Sequence, residues 1–121
     1  MNIKKRILVV DDEPGILRFV RTCLSLAGYE VLTASDGNEA LQMAKAEKPD
    51  LLLLDVFMVP ISGFDVLVEL RKFSQTPVIV FTARSSIVDR ALKWGANDSI
   101  AKPFHPEEML TKVKAILSDK A

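Results

Sequence analysis

Five short apolar runs punctuate the chain at intervals of about 20 to 25 residues: Ile7 to Val10, Tyr29 to Ala34, Leu51 to Leu54, Val78 to Phe81, and a weaker Ser99-Ile100-Ala101. The first, third and fourth are continuous rather than alternating, the pattern of strands buried on both faces, as in a parallel sheet. Helical spacing follows each run. After the first, Ile16, Leu17, Val20, Cys23, Leu24 and Ala27 fall on one stripe, with Gly28 placed as C-terminal cap. After the second, Ala40, Leu41 and Ala44 point inward, and Asp36 with Glu39 three residues on predicts a capping box. The third helix begins at Ser62, with Asp65 three on, and buries Leu67 and Leu70. The fourth starts near Ser86, carries Asp89 and closes at Gly95. The fifth buries Met109, Leu110, Val113, Ile116 and Leu117. Its start is marked by His105 at the cap, Pro106 in the first turn, Glu108 at the third position, and Phe104 placed to staple onto Met109.

Strand–helix repeated five times predicts an α/β fold, a five-stranded doubly wound parallel sheet of (βα)5 type with right-handed crossovers and helices on both faces. The 121 residues are one domain's worth, and no linker or low-complexity segment divides them, so residues 1–121 are expected to form a single domain. Hydrophobic residues at 49% and charged residues at 26% argue against disorder. Acids and bases balance at 16 each, so no net field draws the chain to nucleic acid or an anionic membrane. Lys4-Lys5-Arg6 is too short for a nucleic-acid patch and reads as a solvated strand entry. No apolar run approaches the ~20 residues that span a bilayer. The charged Met1 to Arg6 leads straight into a strand-like run, unlike a signal peptide, and a cytoplasmic location is expected. One cysteine excludes an internal disulfide, and with one histidine it cannot supply a Cys/His zinc site. Cys23 reads as core packing and Trp94 as partly packed.

Ligands of open α/β sheets bind outside the carboxyl ends of the strands. The polar residues there are Asp11, Asp12 and Glu13 after the first run, Asp55 after the third, Thr82 after the fourth and Lys102 after the fifth. If all five strands are parallel, Asp11, Asp12, Asp55, Thr82 and Lys102 share one edge. Three carboxylates at close range raise the pKa of at least one unless a cation intervenes. Lys102 offsets one charge, and a divalent ion would offset two more. All-oxygen ligation with retained waters suits Mg²⁺, and such a site commonly takes a phosphoryl oxygen into its shell. Lys102 and the Thr82 hydroxyl would then serve the remaining phosphoryl oxygens. Asp55 is the natural nucleophile, since carboxylates form aspartyl phosphates. Taken alone, Asp11-Asp12-Glu13 reads as an acidic cap of the first helix. No Walker A loop, G-x-G-x-x-G or nucleophile elbow is present.

These residues belong to six motifs in order: Ile7-Leu8-Val9-Val10-Asp11-Asp12-Glu13-Pro14, Leu52-Leu53-Leu54-Asp55-Val56, Ser62-Gly63-Phe64, Phe81-Thr82-Ala83, Gly95-Ala96-Asn97-Asp98 and Lys102-Pro103-Phe104. Along essentially its whole length the chain resembles the CheY-like receiver domain of two-component response regulators. The resemblance implies the flavodoxin-like strand order 2-1-3-4-5. It implies a phosphorylation-activated switch, not a free-standing enzyme, in which Asp55 takes a phosphoryl group from a phosphohistidine of a sensor kinase or phosphotransfer protein. It implies Mg²⁺ held by Asp12, Asp55 and the Phe57 backbone carbonyl, with Asp11 assisting through water. It also implies that Lys102 pairs with the phosphoryl group, that Thr82 moves to hydrogen-bond it, and that the Ala83 backbone N–H donates. Output is then expected on the face of the fourth helix, fifth strand and fifth helix, where an effector or second copy docks. A cis peptide bond before Pro103 is implied as well.

Two positions depart from the family pattern. Ser99 stands three before the lysine, where an aromatic residue is usual, and a serine cannot fill or vacate an aromatic-sized pocket. Val59 stands four after Asp55, where proline is usual, and Pro60 follows with Gly63 still in register. Other functions fit the residues less well or differently. An aspartyl phosphatase wants an acid two residues after its nucleophile, where Phe57 stands. A flavin carrier wants a hydroxyl-rich loop where Asp11-Asp12-Glu13 stands. A receiver fold kept as a phosphorylation-independent interaction module is the alternative that Ser99 favours.

Overall fold

The computed structural model describes residues 4–83, 87–102 and 105–118. Five strands, β1 (Arg6–Val10), β2 (Glu30–Ala34), β3 (Leu51–Asp55), β4 (Val78–Thr82) and β5 (Asp98–Ala101), alternate with five helices. The helices are α1 (Pro14–Leu26), α2 (Gly37–Glu47), α3 (Gly63–Arg71), α4 (Val88–Lys93) and α5 (Pro106–Leu117). All pairings are parallel and the sheet order is β2-β1-β3-β4-β5.

The continuous apolar runs are explained by what covers them. Along β1, β3 and β4 successive side chains point to opposite faces, and both faces are packed. Leu8, Val10, Leu52, Leu54, Val78 and Val80 meet the buried residues of α2, α3 and α4 on one side. Ile7, Val9, Leu51, Leu53, Ile79 and Phe81 meet Val20 and Leu24 of α1 and Met109 and Val113 of α5 on the other. Every residue of β3 and β4 is buried.

Local chemistry sets the helix ends. Gly28, at φ 99°, lies in the left-handed region that favours glycine. It closes α1 through Gly28 N–H to Ser25 O (3.0 Å) and Tyr29 N–H to Leu24 O (3.1 Å), a Schellman pair. Gly95 closes α4 in the same way. The Ser62–Asp65 capping box of α3 is complete. At α2 the expectation needs correcting. Asp36 accepts from the Glu39 N–H at 2.8 Å, but the Glu39 carboxylate reaches past the cap to the Ser35 N–H at 2.9 Å. His105 is the N-cap residue of α5, yet its ring makes no capping hydrogen bond.

The predicted stripes are right in position and too wide. Ala27 is exposed because it lies at the C-cap of α1, where the chain turns away from the sheet. Leu41, Leu110, Ile116 and Leu117 are only half-buried at the flanks of their helices, and Tyr29 precedes β2 rather than opening it. The expected α4 start at Ser86, the Phe104 staple and the bond before Pro103 fall outside the described residues. Among the described residues, no helix is long and apolar enough to cross a membrane.

Candidate functional site

The register of the parallel strands brings the polar residues together. Val10 pairs with Leu54, so the next step along β1 and β3 sets Asp11 beside Asp55. Asp55 pairs with Phe81, which puts Thr82 one step beyond, and Thr82 pairs with Ala101, which puts Lys102 one step beyond that. The Lys102 N–H donates to the Thr82 carbonyl at 2.8 Å and extends that pairing past the strand end.

Asp11, Asp55 and Thr82 are the buried polar residues among those described, at 0%, 4% and 2% exposure. The Asp11 carboxylate is fixed on both oxygens. One accepts from the Glu13 N–H at 2.9 Å and the other from Lys102 Nζ at 3.0 Å. Lys102 Nζ also lies 3.5 Å from Asp55 Oδ1, and that oxygen accepts from the Phe57 N–H at 3.2 Å. Asp12 is exposed, but ligand oxygens of Asp11, Asp12 and Asp55 all lie within 4.8 Å of one another. Three carboxylate oxygens at this spacing, two on buried residues and, among the described residues, one ammonium beside them, form a donor set suited to a hard divalent cation.

Electrostatics follow from this crowding. Burial first, and then the charge of Asp11, push the Asp55 carboxyl up from 3.8 to about 6, against the opposing pull of Lys102 and the Phe57 N–H. Burial pulls the Lys102 ammonium down, but its hydrogen bond to Asp11 and the charges of Asp55 and Asp11 outweigh that, so it stays above its ordinary value. Carboxylate repulsion, the reason for expecting a perturbed group here, contributes, although burial contributes more.

Glycine at position 63 is a steric requirement of the site. Its N–H donates to the Val56 carbonyl at 2.8 Å, and a Cβ there would run into the Asp55 carbonyl oxygen and Val56 Cα. α3 therefore begins pressed against the backbone of the Asp55 strand end. The loop between them holds the exposed Phe57 and Val59, the buried Met58 and a cis Val59–Pro60 bond. Ala83 is the first residue past β4 and is exposed. Ser99 is half-buried opposite Val80, and its carbonyl accepts from Lys112 Nζ of α5 at 2.5 Å. That tie was not foreseen, nor was the Arg71 clasp. The half-buried Arg71 guanidinium donates to the carbonyls of Ser74, Thr76 and Gly95 and binds the α3–β4 and α4–β5 turns together. Neither lysine nor arginine stands next to a strand end in sequence, so the spacing held no signal for them.

The family model for the response regulator receiver domain matches residues 7–114. The chain belongs to this family. Among relatives, a probable transcriptional regulator ycf27 of Cyanophora paradoxa is 47% identical over 116 residues, which cover 94% of this chain and 48% of that one. The alkaline phosphatase synthesis transcriptional regulatory protein PhoP of Bacillus subtilis is 44% identical over 118 residues, covering 95% and 49%. The chain thus spans about half the length of the curated relatives it matches. Among solved structures, a putative response regulator of Chloroflexus aurantiacus superposes with a TM-score of 0.91 at 34% identity, covering 97% of this chain and 100% of that one. The response regulator TrrA of Thermotoga maritima, solved in complex with Mg²⁺ and BeF, gives a TM-score of 0.86 at 40% identity, covering 93% and 99%. The receiver domain therefore has the CheY-like fold in sequence and in structure alike.

Proposed function

We propose that this receiver domain is a phosphorylation-activated switch of a two-component system, with Asp55 the phosphoryl acceptor. The observation that carries the reading is the set of Asp11, Asp12 and Asp55 oxygens within 4.8 Å, with Lys102 Nζ at 3.0 Å and 3.5 Å from two of the three residues. An Asp55 carboxylate oxygen attacks the phosphorus of a phosphohistidine on a sensor kinase or phosphotransfer protein. The O–P bond forms as the P–N bond breaks, and the electron pair leaves with the imidazole nitrogen. Asp12, Asp55 and the Phe57 carbonyl would hold Mg²⁺, with Asp11 in support. When bound, the ion supplies positive charge shared by the carboxylates and the phosphoryl oxygens. Lys102 turns its ammonium to the phosphoryl group, and the Thr82 hydroxyl and Ala83 N–H donate to its other oxygens. The new charge and acceptor oxygens bias a two-state element, and output passes through α4, β5 and α5 to an effector or a second copy. The domain itself contacts neither nucleic acid nor membrane, acts in the cytoplasm, and catalyses nothing beyond its own phosphotransfer and dephosphorylation.

The test is incubation with Mg²⁺ and acetyl phosphate, read by intact mass. The wild-type chain gains one phosphoryl group and Asp55→Asn gains none. A folded wild type that gains nothing, or an Asp55→Asn chain that gains as much, ends the proposal.

A second reading rests on Ser99. With no aromatic side chain to swing behind Thr82, the fold serves as a phosphorylation-independent interaction module. Beryllofluoride with Mg²⁺ separates the two: the switch changes its amide spectrum across α4, β5 and α5, whereas the module does not.

A further inference from the structure

At the opposite edge of the sheet from Asp55, two adjoining hollows of about 480 Å³ and 290 Å³ share Lys45 and Phe73 as their common wall. They lie where α2 runs into β3 and where α3 runs into β4. Buried Ala44 and Pro49 line the larger one, facing Ser74 and Thr76 across it. The far wall is held in place by its own hydrogen bonds. Ser74 Oγ lies 2.7 Å from Thr76 Oγ1 and accepts from the Thr76 N–H, while the Arg71 guanidinium takes both their carbonyls. The hollow is thus lined by a backbone already ordered for binding.

Its charge is one-sided. Glu69 is paired with Lys72 and Glu47 with Arg6. Among the described residues, Lys45 and Lys48 have no carboxylate at ion-pair distance. Lysines near the end of α2 suit the helix dipole. That does not account for Phe73, which is 42% exposed with the Lys45 ammonium 5.1 Å from its ring centroid. An aromatic surface beside two lysines with no carboxylate partner among the described residues, in a chain of zero net charge, is complementary to carboxylates alternating with apolar side chains.

We propose that this groove docks an acidic segment of a partner protein, with an apolar side chain entering between Ala44, Pro49 and Phe73 and carboxylates meeting Lys45 and Lys48. Because it lies at the amino ends of β3 and β4, a segment held there leaves the Asp55 pocket open. The groove does not depend on the acceptor reading, and either stands if the other falls.

The test titrates the isotopically labelled chain with a short capped peptide alternating Glu with Leu, and follows amide shifts. Shifts centred on residues 44–49 and 72–76 are expected. The exposed double variant Lys45→Glu/Lys48→Glu, whose own spectrum reports its folding, loses affinity by at least about tenfold, and so does Phe73→Ala. A matched peptide of Lys and Leu does not bind there. Absence of shifts at millimolar peptide, shifts centred elsewhere, equal binding of the lysine peptide, or unchanged affinity of the double variant overturns the proposal.

Discussion

Strand β1 carries a charged cluster at each end, and the two behave in opposite ways. At its entry, Arg6 pairs with Glu47 at 2.6 Å and Glu30 at 3.6 Å, while the Arg6 N–H donates to Asp50. Both glutamates are exposed to water, so they are solvated as well as paired, and exposed ion pairs of this kind contribute little to stability. Just past its exit, Asp11 is fully buried, Asp55 nearly so, and Lys102 is the one ammonium among the described residues paired with both. There the carboxylates outnumber the base away from water. Charge density alone therefore does not mark a candidate site. Burial combined with an unmatched charge does, because it leaves a carboxylate that gains from a cation.

The largest effects should come from breaking the exit cluster. Lys102→Ala and Asp12→Ala each slow phosphoryl uptake from acetyl phosphate by about 10²-fold or more, the scale of losing a charged group that stabilises a transition state. The checking measurement is the rate of mass gain. Next, Mg²⁺ at a hundredfold excess over its dissociation constant adds about 2.7 kcal/mol of stability, visible as a higher melting temperature that a chelator reverses. Asp12→Ala loses most of that gain, and Arg6→Ala keeps it.

A pH effect of similar size follows without metal. The Asp55 pKa is raised on folding, so the unfolded chain gives up that proton first. The resulting penalty is absent below about pH 4, grows as the pH rises from 3.8 to about 6, and is complete above that. Asp55→Asn removes it, so the variant is more stable than wild type by about 2–3 kcal/mol at pH 7.5 and gains nothing near pH 4. Denaturant unfolding at the two pH values checks this. The smallest effect belongs to the entry cluster. Arg6→Ala shifts the melting temperature less than any change above, and added salt shrinks the difference further.

Most of the fold was legible because the signals are local. Continuous apolar runs marked β1, β3 and β4, and Ser62 with Asp65 marked the start of α3. The site was legible for a related reason. Asp11 and Lys102 directly follow their strands, Asp55 and Thr82 end theirs, and parallel pairing puts those strand ends at one edge. The strand order was not readable from periodicity, since adjacency is a long-range property, and it came from the family resemblance. Half-buried flanks such as Leu110 and Ile116 were overread, because a helical stripe says which side faces the sheet and not how far the cover extends. The Arg71 clasp and the Lys45–Phe73 groove left no periodic trace, since each joins turns far apart in the chain.

The proposed switch depends on buried Asp11 and exposed Asp12 held beside an Asp55 carboxylate that a dication can stabilise. The most direct measurement is the carbon-13 titration of the Asp55 side-chain carboxyl with and without Mg²⁺. The account predicts a midpoint near 6 in metal-free protein and a clear downward shift when Mg²⁺ is added. A midpoint at the ordinary carboxylate value that Mg²⁺ leaves unmoved would contradict it.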